Sequence, residues 1–287
     1  MQDKHERRSL RLHVLLAGIS LTCLGVGVAM IVYALSLMTT GAVGDSPVQV
    51  AEDDCPPVVA PTPARLSPQQ LITEFHKLIY DSNVWQRMEW MGVRTLQYPP
   101  DMWVMQEIIY DVRPDFIVET GTFHGGSALF YASVLEILGG EGKVITIDIE
   151  PRIREASQYP VFRERVEVIT GSSTDPEVLA QVRERVAGKT VMVTMDSDHS
   201  KEHVLAELHG LAPLVSLGSY VVVQDTNLNG NPVASAYGPG PFEAVEKFLE
   251  GNDEFERDPA REKFLVTFFP GGFLKRVKAA PDAALEL

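Results

Sequence analysis

A chain of 287 residues, 45% of them hydrophobic, holds material for one sizeable core plus a tail, or for two domains at most. Its formal net charge of −14 and the lack of any long Lys/Arg block exclude a nucleic-acid-binding stripe. Two cysteines, Cys23 in an apolar run and Cys55 in a Pro-rich one, exclude a disulfide framework and a Cys-type zinc site.

In chain order, a basic tail (1–11) carries Lys4, Arg7, Arg8 and Arg11. Residues 12–38 follow, 27 positions without Asp, Glu, Lys or Arg. A bilayer-spanning helix needs about 20 apolar residues, and a signal-peptide core only about 7–15, so the expectation is an uncleaved single-pass anchor. Because no cation recurs until Arg65, the positive-inside rule makes the N-terminus cytoplasmic. Residues 39–66, with Pro47, Pro56, Pro57, Pro61 and Pro63 and the acidic Glu52-Asp53-Asp54, read as an extended stem. The folded domain is expected over 67–278, with 279–287 as a flexible tail.

Ser67-Pro68 reads as an N-cap and first helical turn, with Leu71, Phe75, Leu78 and Ile79 on one face. A Trp- and Met-rich passage leads to a helix expected over 103–110. After Pro114, five Val/Ile-rich runs at 116–120, 143–148, 165–170, 190–196 and 219–225 alternate with helical segments of crossover length. That alternation predicts an α/β fold with a doubly wound, mostly parallel sheet covered on both faces. A helix at 241–250 and two late runs, FLVTFF and GFLKRV, predict a terminal antiparallel pair that brings the sheet to seven strands.

Doubly wound sheets bind ligands beyond the carboxyl ends of their strands, so the strand ends carry the functional information. The first run ends in Glu119-Thr120-Gly121-Thr122-Phe123-His124-Gly125-Gly126-Ser127. This is a Gly-rich turn into a helix, suited to a ligand loop or a tight structural turn, and it is not G-x-G-x-x-G. The second ends in Asp148, where a carboxylate grips a ribose diol or is simply solvated. The third ends in Gly171-Ser172-Ser173, fit to border a flat ring, while Ser173 or Thr174 could equally cap the next helix. The fourth ends in Asp196 and the fifth in Gln224-Asp225. Two carboxylates and an amide oxygen at neighbouring ends make a hard site for Mg²⁺, Mn²⁺ or Ca²⁺; helix capping or ion pairing is the alternative.

Taken together, ETGTFHGGSALFYAS, VITIDIEPR, VITGSSTDPEV, MDSDHSKEHV and GSYVVVQDT resemble class I S-adenosylmethionine-dependent methyltransferases. With the lead-in WMGVRTLQYPPDMWVMQEIIYDVRPDFIVETG, the resemblance narrows to the cephalosporin hydroxylase/rhamnosyl O-methyltransferase family and covers roughly 67–278. It implies a Rossmann-like methyltransferase sheet and S-adenosylmethionine as cofactor. Glu119, Gly121, Phe123 and Gly125 would form the loop under the methionine part, and Ser127 would hold its carboxylate. Asp148 would bind the ribose hydroxyls, and Ser172 and Ser173 would border the adenine. Asp196 and Asp225 would bind Mg²⁺ or another hard divalent cation, with Gln224 where the family often has an acid and Asp198 as a substitute ligand. His199, or Lys201 in its place, would be the base. The implied reaction is methyl transfer to a hydroxyl of a sugar or lipid-linked glycan. The loop 227–242 either covers the acceptor or only connects strand to helix.

The same stretch also spells His199-Ser-Lys-Glu202-His203, the H-x-x-E-H signature of inverted zinc proteases. That chemistry needs both imidazoles on one helical face, whereas His199 falls at the strand-to-helix junction. An iron-dependent hydroxylase needs an H-x-D or H-x-E core, which this chain lacks. Two further alternatives are a membrane-anchored module that retains the fold without turnover, and a dinucleotide-dependent oxidoreductase. Positive-inside topology sets the domain across the membrane from the cytosol, where S-adenosylmethionine is made. Cofactor import, an inverted topology or a domain that no longer methylates would each resolve this. The oligomeric state is open, a homo-oligomer included.

Overall fold

The structure, a computed structural model, describes residues 65–279; the expected tail, the anchor, the stem as far as residue 64 and the last residues lie outside it. Among the described residues no helix is long and apolar enough to cross a membrane. Helix α1 (Pro68–Asp81) begins at the expected junction. Ser67 Oγ accepts from the Gln70 N–H at 3.2 Å, and Gln70 Oε1 accepts from the Ser67 N–H at 2.9 Å, a reciprocal capping box. The face expected to pack inward does not: Leu71, Phe75 and Leu78 are exposed, and the buried residue of α1 is His76. Desolvation pushes the His76 imidazole down to about 4. It is therefore neutral, stacks on Phe268 at 5.5 Å, and accepts from the Asn227 amide at 3.1 Å.

A hairpin of β1 (Glu89–Trp90) and β2 (Val93–Arg94) precedes α2 (Pro99–Val112). The helix starts ahead of the expected Trp103 because Pro99 and Pro100 open its first turn. Strands β3 (Phe116–Thr120), β4 (Lys143–Asp148), β5 (Val166–Thr170), β6 (Val191–Met195) and β7 (Tyr220–Val223) all lie within the five expected runs. Their crossovers carry α3 (Gly126–Leu138), α4 (Pro160–Arg165), α5 (Pro176–Val186) and α6 (Lys201–Leu211). Helix α7 (Pro241–Glu250) then leads to β8 (Phe255–Arg257) and β9 (Phe273–Arg276). In space the order is β5-β4-β3-β6-β7-β9-β8, the first five parallel, with β9 antiparallel to β7 and β8 antiparallel to β9.

Strand alternation divides the core between the two faces. Val118, Ile145, Ile147, Val193, Met195, Val221 and Val223 pack with α5, α6 and α7. Ile117, Val144, Met192, Tyr220 and Val222 pack with α2, α3 and α4. With both faces covered, every second residue on either side is apolar, and the strands read as continuous Val/Ile runs.

One expected strand is absent. FLVTFF (264–269) is not a strand, and the place beside β9 belongs to β8, three residues too short and polar to stand out in the sequence. Val266, Phe268 and Phe269 are buried, but as an anchor under the N-terminal helices. The ring of Phe268 is stacked by His76 and, at 4.9 Å, by Tyr98, with the edges of Tyr80 and Trp85 against it. Its N–H donates to the buried Asp101 carboxyl at 2.8 Å. Periodicity cannot separate a short buried loop from a short buried strand. Truncating an anchor of this kind costs about 3–5 kcal/mol. Urea unfolding of Phe268→Ala should show that loss, and a loss below about 1 kcal/mol would mean that the ring is not the packing centre of this end.

Candidate active site

Strand order reverses at β3, where the chain runs outward to β4 and β5, then returns to β6 and β7. The carboxyl ends around this switch point border a cavity of about 470 Å³. Gly121 ends β3 at φ +88°, and a Cβ there would lie 1.9 Å from the Asp196 carbonyl oxygen, so only glycine lets the two strand exits pass. Gly126, at the start of α3, meets the same limit, with a Cβ 2.2 Å from the Arg94 carbonyl oxygen. Gly125 is the N-cap of that helix.

Asp148 is held from two sides. Its Oδ2 accepts the Phe123 N–H and its Oδ1 the Glu150 N–H, both at 2.8 Å. Gly121, Phe123, Ser127, Asp148, Ser172 and Ser173 all line the cavity. Glu119 lies beneath it, fully buried, and accepts from Thr146 Oγ1 at 2.5 Å. Burial pushes its carboxyl up to about 7, against the hydroxyls of Ser127 and Thr146, so it supports the loop rather than facing a ligand. The Ser172 hydroxyl lies 3.0 Å from that of Thr174. The cap of α5 is Asp175, whose carboxylate accepts the Glu177 N–H at 2.7 Å, so neither Ser173 nor Thr174 is spent on capping.

At the other end stand Asp196, His199 and Asp225, each offering a ligand atom within 4.8 Å of the others. His199 Nε2 lies 3.1 Å from Asp225 Oδ2 and 3.9 Å from Asp196 Oδ1. Asp225 sits at φ +52°, a strained conformation for a non-glycine residue that turns it into the cluster. Burial pushes both carboxyls up, and for Asp196 the charges of Asp225, Glu119 and Glu207 add to the effect. Two carboxylates that resist joint ionisation are stabilised as a pair by a cation between them. The two hard carboxylate oxygens fit a divalent ion, with the imidazole nitrogen beside them.

The structure does not bring every expected residue into this cluster. Gln224 is buried, with Oε1 accepting from Gln97 at 2.6 Å and Nε2 donating to Thr194 at 2.8 Å, so both ends of its amide are engaged below the cluster. Asp198 is exposed at the cavity rim, where it accepts the Ser200 N–H at 2.7 Å ahead of α6. Lys201 does not line the cavity, and its charge acts on Glu250 of α7. The protease reading fails on geometry: His203 Nε2 lies 3.1 Å from Ser173 Oγ, away from the cluster holding His199, and Glu202 is exposed.

Sequence reasoning missed Gln97 and Glu207. Gln97 donates to Asp196 Oδ2 at 2.8 Å as well as to Gln224, and so fixes the carboxylate from below. Buried Glu207 accepts from Ser197 at 2.6 Å and from Ser173. No motif marks either residue, because their partners are distant in sequence or belong to another strand end.

The family model described as Rhamnosyl O-methyltransferase/CmcI matches residues 82–277. The rhamnosyl O-methyltransferase of Mycobacterium tuberculosis (strain ATCC 25618 / H37Rv) is 39% identical over 213 residues, 71% of this chain and 84% of that protein. The protein of the same name from Mycobacterium leprae (strain TN) is 41% identical over 209 residues, 71% of this chain and 89% of that one. A solved structure of CmcI with Mg and SAM superposes with a TM-score of 0.51 at 20% identity, covering 67% of this chain and 78% of that one, a likeness of fold. The chain belongs to the rhamnosyl O-methyltransferase/CmcI family and is an S-adenosylmethionine-dependent O-methyltransferase.

Proposed function

We propose that the chain methylates a hydroxyl of a sugar, a rhamnosyl residue being the acceptor class that the names of its relatives suggest, with a divalent cation of the Mg²⁺ type assisting. The observation that carries this reading is the sharing of one cavity by Asp148 and the Asp196/His199/Asp225 cluster. A ribose diol would donate to Asp148, whose carboxylate two backbone N–H donors hold in place. The N-terminus of α3 beside Ser127 would hold the methionine carboxylate, since free N–H groups there stabilise an anion. Adenine then extends toward Ser172 and Ser173. A donor held in this way would present its sulfonium methyl toward the acid cluster, where the acceptor hydroxyl would be received.

Asp196 and Asp225 would hold the cation, which supplies Lewis-acid polarisation of the acceptor oxygen. His199 takes the acceptor proton as the oxygen attacks the methyl carbon. The cofactor would supply an electrophilic methyl whose sulfur–carbon bond would break with the electron pair leaving on sulfur as a neutral thioether. Positioning supplies most of the rate, since oxygen, carbon and sulfur must be in line. Gln97 keeps Asp196 from rotating out of place. The lip of the cavity carries Trp85, Arg94 and Phe123, with the guanidinium 5.7 Å from the Phe123 ring. These surfaces suit the apolar and hydroxyl faces of a pyranose. The expected location is the membrane, through residues 12–38, and resistance of the full chain to carbonate extraction tests it.

Calorimetric titration of the full chain with S-adenosylmethionine should give saturable binding that Asp148→Ala weakens by about 10-fold or more, the scale of a charge-assisted hydrogen-bond pair. Unchanged binding in Asp148→Ala would place the cofactor elsewhere. Asp225→Asn should raise the Mg²⁺ concentration needed for half-maximal turnover while leaving S-adenosylmethionine affinity within about 2-fold, because one ligand charge is lost away from the cofactor. His199→Ala should lower kcat by about 10²–10⁴, the range for a lost general base, at an unchanged Mg²⁺ requirement. A shifted Mg²⁺ requirement in that variant would make the imidazole a ligand instead of the base.

A further inference from the structure

At the end of the cavity away from the acid cluster, His203 has a defined set of partners. It lines the cavity together with Gly171, Ser172 and Ser173 of the β5 exit and Ser197 of the β6 exit. Behind it lies Glu207, one turn further along α6, with a fully buried side chain. The serines fix the direction of the network. Ser197 and Ser173 both direct their hydroxyl hydrogens to Glu207 Oε1. A carboxylate only accepts, so the Ser173 oxygen is left as an acceptor, and the His203 Nε2–H, 3.1 Å away, is the donor that meets it. With Nε2 carrying the proton, the ring in its neutral form presents Nδ1 as an acceptor, and that atom has no partner among the described residues; the hydrogen bond to Glu207 raises the imidazole above its ordinary range, so this form belongs to the alkaline side.

We propose that His203, oriented by Ser173 and Glu207, is the residue that reads the adenine, its Nδ1 accepting a hydrogen bond from the exocyclic amine of the cofactor. The inference rests on the placement of the ribose at Asp148 given above, which sends the base toward the β5 exit. Ser173 alone is a poor reader of the base, because its hydrogen is committed to Glu207 and its oxygen to His203. The histidine therefore offers this wall an unpartnered ring-nitrogen acceptor. A carbonyl at the same position of the base would set acceptor against acceptor. The contact thus selects an amino-purine over an oxo-purine.

The test compares S-adenosylhomocysteine with S-inosylhomocysteine, which differs in bearing oxygen in place of the exocyclic amine. Both are titrated into the full chain at alkaline pH, where the imidazole is neutral. The wild type should prefer the adenine compound by about 10-fold, the worth of one hydrogen bond plus the mismatch it prevents. In His203→Ala the preference should fall to about 2-fold or less, mainly by weaker binding of the adenine compound. His203→Phe retains a ring of similar size without the nitrogen and should lose the preference in the same way, with its thermal midpoint as the check on folding. A preference that survives both substitutions, or affinities for the two compounds that fall in parallel, would overturn the proposal and leave the methyltransferase reading intact. Failure of the wild type to bind S-adenosylhomocysteine at all would instead overturn the cofactor placement itself.

Discussion

Everything at the site depends on the level at which the parallel strands end. Register pairs Thr120 with Ile147 on one side and with Met195 on the other, and Met195 with Val223. One residue further along, Gly121, Asp148, Asp196 and Gln224 therefore stand in one row across the sheet. The row closes only because Gly121 has no side chain: the Asp196 N–H donates to the Thr120 carbonyl at 3.0 Å, and the Asp196 carbonyl fills the space a Cβ would need. A larger residue at 121 would push β6 away from β3 and move a cluster carboxylate relative to the loop that Asp148 fixes. The distance between ribose site and acid cluster is thus a property of backbone register, set before any side chain is considered.

Within that frame the charges compete. Asp196 feels Asp225, Glu119 and Glu207, all acidic, and burial works in the same direction. The chain answers each differently. Glu119 is met by the threonine hydroxyl of β4, Glu207 by serine hydroxyls, and Asp196 by the Gln97 amide. Only Asp196 and Asp225 keep oxygens directed at shared space, with His199 between them. Neutral donors satisfy buried carboxylates without a cation, so the place where they stop is where a cation fits best. This is also why Gln224 is no ligand despite its level in the row. Its amide completes the donor chain from Gln97 to Thr194, and the reversed φ of the next residue carries Asp225 back into the cluster.

Legibility in the sequence followed the same physics. Five parallel strands could be read because burial on both faces demands unbroken Val/Ile runs, and the residues ending those runs were polar against an apolar background. Asp148, Asp196 and Asp225 stood out for that reason. FLVTFF has the same apolar texture and lies in a loop, because aromatic residues from α1 and the segment before α2 needed an anchor more than β9 needed that partner. Leu71, Phe75 and Leu78 have helical spacing but do not pack inward; the burial on that helix falls on His76, which periodicity ranks as polar. Gln97 could not be found from spacing, since its two partners lie 99 and 127 residues away.

The H-x-x-E-H pattern shows how one short stretch can serve two ends of a cavity. Its histidines lie four residues apart, but the first precedes α6 and the second lies within the first turn. That offset separates the rings: His199 belongs with Asp225, and His203 with Ser173. Glu207, next along the same face as His203, lies close enough to Asp196 to raise its carboxyl, so its buried charge acts on both ends at once. The first turns of α6 therefore act as a strut between the base-recognition end and the acid cluster. A shift of this helix would move His199 and His203 together, while Asp196 and Asp225 stay with the strand ends that carry them.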